Sequence, residues 1–205
     1  MEKFEVIEHE NDQRRVKDYR IVAINFLDPT YVRFTSSTRL EKGEEVDVDG
    51  KDVFYHGKKI GAVEETRDGK SVRVSTNFDI KYTGGYSLDG KTMYLDEHFP
   101  KVMKIAGKEV DARESIGLHH ELPEKWLSDD AYEYPYAHEV ATGIEKRYVE
   151  HLGVTWKDYC DVVDRNLRNV YSQKLGKSPP SLDLAPYLYC RDREALKEIR
   201  ESSEK

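Results

Sequence analysis

Five of the seven histidines lie between His98 and His151, and the densest run among them is His119-His120-Glu121-Leu122-Pro123-Glu124. His138-Glu139 and Glu145 follow downstream. Imidazole and carboxylate together suit Zn²⁺, and less selectively Fe or Mn. On a helix, residues four apart share a face, so His120 and Glu124 reach one point. His138 and Glu145 are two turns apart and also share a face. Two antiparallel helices joined by a short loop would bring both sets together at the edge of the core. A catalytic zinc keeps three protein ligands and one open position. His120, Glu124, His138 and Glu145 therefore compete for the ligand positions, with room for one of them to stand behind the others. Glu121 follows His120 directly. A carboxylate beside a ligand but off the metal can take a proton from a bound water whose pKa the metal has lowered to roughly 7.

The elements that must position these residues are read from periodicity and punctuation. Tyr19–Phe26 and Tyr31–Phe34 are compact strands on either side of an Asp28-Pro29 turn. Asp49-Gly50, His56-Gly57, Asp68-Gly69 and Asp89-Gly90 each offer the positive φ of a tight hairpin turn. The segments between them, Asp52–Tyr55, Ile60–Glu64, Ser71–Ser75 and Thr92–Leu95, are short and rich in Val, Tyr and Thr. After His98-Phe99-Pro100 the pattern turns helical. Asp111 and Glu114 have the spacing of a capping box opening a helix to about Leu127, with Pro123 kinking it. Pro135 sits in the first turn of a second helix that stops at Gly153. Thr155 caps a third, from Trp156 to about Lys174, and Asp192–Lys205 is a charged tail helix. The reading is α+β: an N-terminal antiparallel β meander or small barrel followed by a C-terminal helical region. Its segments are a β-rich region over 1–100, a helical site-bearing region over 101–177, and a spacer and tail helix over 178–205.

His120-Glu121-x-x-Glu124 resembles the HExxH helix of zincin metallopeptidases, with the last histidine replaced by glutamate. The resemblance implies His120 as a ligand, Glu121 as the general base, Glu124 in place of the second histidine, and Glu145 in place of the downstream-helix glutamate of gluzincins. His138 has no counterpart there and would be an additional or replacement ligand. The wider run of YLDEHFP at 94–100, HHELPE, YAHEVATGIE at 136–145 and GVTWKDY at 153–159 resembles an uncharacterised group of bacterial and phage proteins of metallopeptidase-like pattern. It covers about residues 80–190, and it implies a shared site rather than a substrate. HExxE is a weaker signal than HExxH, because such tetrads arise by chance in a chain with 40 acidic residues.

Other residues read more plainly. His119 points about 100° away from His120 and is expected behind the site or in solvent. Asp96 and His98 mark a strand end, as a cleft or as a cap. His151 offsets a helix dipole. Cys160 and Cys190 read as small buried apolar residues rather than nucleophiles, and whether they pair is open. Gly84-Gly85 lacks the spacing of a phosphate loop and reads as a hairpin or bulge that would run along a substrate groove.

The bulk properties bound the reading. With 14 Tyr, 6 Phe and 2 Trp, the 205 residues can build a core despite 36% charge. The net charge of −7 disfavours nucleic acid and anionic membranes. There is no apolar leader and no membrane-length apolar run, so a cytoplasmic protein is expected. The expected function is a metal-dependent, peptidase-like hydrolase with Zn²⁺ and a peptide or protein substrate. The alternative is a non-enzymatic protein-interaction module of phage or mobile-element type, with a structural His/Glu seam.

Overall fold

Alternation of apolar residues along the first six strands decides how they assemble. Phe4 and Val6, Ile21 and Ala23, Val32 and Phe34, and Val46 and Val48 are pairs two apart, so each pair faces one side of its strand. In the computed structural model, which describes residues 1–11 and 18–203, these side chains meet with Leu40, Val53 and Ile60 in one buried cluster. The strands are β1 (Glu2–Asn11), β2 (Tyr19–Asn25), β3 (Thr30–Ser36), β4 (Glu45–Asp49), β5 (Asp52–Tyr55) and β6 (Lys58–Asp68). They close into a barrel in the order β1-β2-β3-β6-β5-β4, with β1 pairing antiparallel to both β2 and β4. Register shifts at Val6/Glu8, Arg33/Phe34 and Val53/Phe54 mark bulges, the devices that bend strands sharply enough to close so small a sheet. His56 and Gly57 both have positive φ, as a two-residue type I′ turn requires.

The chain divides into two compact units, Met1–Lys70 and Ser71–Lys205. The second contains β7 (Arg73–Phe78), β8 (Gly84–Tyr86) and β9 (Thr92–Asp96) in a three-stranded sheet of order β7-β9-β8. Here the meander expectation fails, because β7 and β9 are parallel. Asp68-Gly69 is likewise no hairpin turn: a short 3₁₀ turn follows β6 instead. The region after Pro100 does not turn helical at once. Val102–Ile105 (β10) and Lys108–Asp111 (β11) form a hairpin first. Its turn is Ala106-Gly107, both at positive φ, and a search for Asn-Gly or Asp-Gly turns passes over it.

The helices then follow as α1 (Leu122–Asp129), α2 (Tyr134–His151), α3 (Trp156–Tyr171), α4 (Ala185–Tyr189) and α5 (Arg193–Ser203). Gly153 stops α2 at φ 76°, and the Thr155 hydroxyl accepts from the Asp158 amide at the start of α3. The tail helix is α5, and the predicted end at Glu204-Lys205 lies outside the described residues. The predicted cap at Asp111 is present on the Asp111 side, whose carboxylate takes backbone bonds from Arg113 and Glu114. Asp111 also pairs with the Arg113 guanidinium. Leu95, Phe99, Met103, Val110, Ile116 and Val149 share one core cluster, which ties the hairpin to the helices. Among the described residues, no helix is long and apolar enough to cross a membrane.

Candidate metal centre

Pro123 shapes the segment that carries His120. A proline inside a helix removes one amide and crowds the carbonyl four residues back. The chain answers by winding wide. Arg113–Glu121 is π-helical, and the Leu122 amide bonds the Gly117 carbonyl five residues back. Pro123 then falls in the first turn of α1, where its missing amide costs nothing. Wide turns of this kind concentrate at functional sites. His120 and Glu124 sit across the junction of the two windings. His138 projects from the second turn of α2, and Glu145 from the same helix two turns on.

Three of the four predicted ligands converge. His120 Nε2 lies 3.2 Å from His138 Nδ1 and 3.6 Å from Glu124 Oε2, and His138 Nδ1 lies 2.7 Å from Glu124 Oε2. A point about 1.9 Å from all three atoms lies in their plane. An ion displaced slightly from that plane would reach every one of them at the ~2.0–2.2 Å typical of Zn–N and Zn–O bonds. Glu124 is buried, while the His138 side chain is 49% exposed. The centre is thus closed on the helix side and open toward His138, where a fourth position would face solvent.

Glu145 does not join this triangle. Its Oε2 lies 2.8 Å from His120 Nδ1, on the far side of the ring. With Nδ1 turned to Glu145, Nε2 faces Glu124 and His138, the arrangement by which carboxylates orient metal-ligating histidines. Behind it, Tyr159 donates to Glu145 Oε1 at 2.6 Å and stands 2.9 Å from Ser115 Oγ. Tyr159 and Ser115 were not singled out from sequence. The only signal for Tyr159 is its place in the GVTWKDY run.

Burial and mutual charge set the electrostatics. Burial pushes the Glu124 carboxyl up, but its contacts with His120 and His138 outweigh this and hold it at about 2. Burial pulls His120 down, and the Glu145 and Glu124 carboxylates more than reverse it, so the imidazole is well above its ordinary range. Glu121 is raised to about 8, by burial first and by the Glu124 charge second. It has no imidazole of its own, and it borders a cavity of about 340 Å³ together with His120, His138, Tyr134 and Tyr187.

The same cavity touches a strand edge. Gly84 in β8 lies so close to Glu121 that a Cβ there would overlap the carboxylate unless the glutamate shifted. The pair predicted as a hairpin or bulge is therefore a short strand at the rim of the cavity. Its outer edge is covered at one end, where the Asp183 amide bonds Tyr86 and the Leu88 amide bonds Ser181. That covering segment turns away into α4, and Thr83, Gly84 and Gly85 line the cavity.

The remaining candidates stand apart from the triad. His119 is buried, stacks on Tyr148 at 3.7 Å and lies 2.7 Å from the Glu114 carbonyl. His151 occupies the last turn of α2. Asp96 caps its strand end, accepting from the amides of Ile80 and His98. Cys160 and Cys190 are not paired with each other, and neither is buried as predicted: Cys160 is partly exposed and Cys190 exposed. No protein-family model, curated protein or solved structure matches the chain.

Proposed function

We propose that the protein is a metal-dependent hydrolase of peptidase type, with Zn²⁺ held by His120, His138 and Glu124. The observation that carries this reading is the triangle of ligand atoms, with Glu145 orienting His120 and Glu121 beside it in one cavity. A bound zinc would supply Lewis acidity and a water of lowered pKa. The chain's own residues do the rest. Glu121, held against Gly84 at the cavity wall, would serve as the base, its carboxylate accepting a proton and passing it to the leaving group. The uncovered edge of β8 beside Glu121 favours an extended polypeptide, which would bond to strand backbone and align its carbonyl over the centre.

The test is Glu121→Gln. The zinc-loaded protein should cleave members of a quenched fluorescent peptide library, and the variant should keep its zinc and lose about 10²–10⁴-fold in rate. Equal cleavage by the variant, or none by the zinc-loaded wild type, would overturn the reading. A second reading has an observation of its own. Glu145, His120, His138 and Glu124 form a continuous chain of contacts, and a purely structural seam would look the same without any ion. Under that reading, His120→Ala/His138→Ala would leave the zinc stoichiometry of the folded chain unchanged.

A further inference from the structure

A second group of ligand-type side chains lies at the other end of the small sheet. β7 and β9 are parallel and Phe78 pairs with Asp96. The residues that follow, Asp79 and Glu97, therefore leave the sheet side by side, and His98 comes next. Asp79 Oδ1, a carboxylate O of Glu97 and a ring N of His98 all lie within 4.8 Å of one another. The Asp79 side chain is 7% exposed.

One oxygen of that carboxylate is well used. Oδ2 accepts from the Gly176 amide at 2.6 Å and the Lys177 amide at 3.3 Å. A Cβ at Gly176 would come within 2.7 Å of Oδ2 and push the carboxylate from this position. The other oxygen, Oδ1, is buried and no N–H or hydroxyl donor is aligned on it. His98 Nε2 stands 2.9 Å from it, but without the direction a hydrogen bond needs. Nε2 is also 3.6 Å from Glu97 Oε1. Two ligand atoms 2.9 Å apart are spaced as ligands of one ion with bonds near 2.1 Å. Asp96 lies buried behind, and among the described residues no lysine or arginine pairs with Asp79, Asp96 or Glu97. A side-chain hydrogen bond with Asp79 and then burial hold the Glu97 carboxyl above its ordinary range, so without a cation the two carboxylates are drawn to share a proton.

We propose that Asp79, Glu97 and His98 bind a second divalent cation, distinct from the His120 centre, which clips the ends of β7 and β9 to the loop after α3. Two carboxylates and one imidazole are a donor set for Zn²⁺ rather than for Mg²⁺ or Ca²⁺, which favour oxygen alone. The Asp79 bonds to Gly176 and Lys177 make the role structural. The clipped loop leads into the Asp183–Cys190 stretch that borders the cavity.

The experiment uses the full chain carrying His120→Ala and His138→Ala, stripped with chelator, its fold checked by circular dichroism and then titrated with Zn²⁺. One equivalent should bind and raise Tm. Adding His98→Ala or Glu97→Gln should abolish that equivalent. No binding, or binding that survives both additions, would overturn the proposal. Should the double variant not fold, the wild-type chain gives the same answer: His98→Ala lowers its zinc content by one equivalent if the proposal holds, and leaves it unchanged if not. Neither result depends on whether the His120 centre is catalytic.

Discussion

In the barrel, Ser36 is the one fully buried polar side chain among the described residues, whereas the unit from Ser71 onward buries Glu121, Glu124, Glu145, Lys81, Lys125 and Asp79. Taking a charged group out of water costs several kcal/mol unless partners replace the water. The barrel avoids that cost and the other unit accepts it repeatedly. Some of its buried charges are answered locally. Lys81 holds the carbonyls of Tyr171 and Gln173 at the end of α3 and pairs with Glu198. Lys125 pairs with Asp129 and Asp183. Those lysines are structural. Glu121, Glu124 and His120 are different, because their charges answer one another only in part and all three face a cavity. The contrast teaches that function is to be sought where buried charge exceeds what packing explains.

Changes on each side of this contrast should have effects of different kind. The largest falls in the barrel. Phe34→Ala removes a fully buried ring and should cost about 3–5 kcal/mol by denaturant unfolding, while the folded protein keeps its full zinc content. A barrel variant that lost zinc in proportion to stability would erase the contrast. Glu145→Gln should do the reverse. It keeps the shape but weakens the hold on His120, and zinc affinity by calorimetry should fall about 10–100-fold. Unaltered affinity would remove Glu145 from the site.

The two kinds of buried charge also separate by pH. In chelator-treated protein, His120 is raised above its unfolded value, and so is Glu121, to about 8. Both then bind protons more tightly in the folded state. Their contribution is complete below their unfolded values and is lost as pH rises through the folded ones. The zinc-loaded form should show the opposite trend, because the metal competes with protons for His120. Glu124, held at about 2, adds stability above about 4.5 that is lost only in strong acid. Thermal scans from pH 5 to 9 with chelator and with zinc should therefore diverge. Parallel curves would show that the two forms share one protonation state. The smallest effect is expected for Tyr159→Phe, which deletes one hydrogen bond to Glu145 and should change zinc affinity by about 1 kcal/mol, within tenfold.

Much of the architecture was legible, and the failures have physical causes. The turns at Asp49-Gly50 and His56-Gly57, the stop at Gly153 and the cap at Thr155 follow from local backbone preferences, which a sequence displays directly. β1 was not recognised because its alternation is masked by charge, and the β10–β11 hairpin because Ala106 adopts positive φ without the usual residue. The parallel pairing of β7 with β9 is a long-range choice that no local pattern records. At the site, spacing alone brought His120, Glu124 and His138 together, since all three depend on helix periodicity. What spacing could not decide was which of the four would stand behind, because that depends on how the wide turn before Pro123 rotates His120 toward Glu145.

The most direct test of the central claim is the zinc content of the chain purified without chelator, compared with that of the His120→Ala/His138→Ala variant at matched circular dichroism. A loss of one equivalent is predicted, whatever the Asp79 cluster holds. Equal metal content in the two folded proteins would contradict the account.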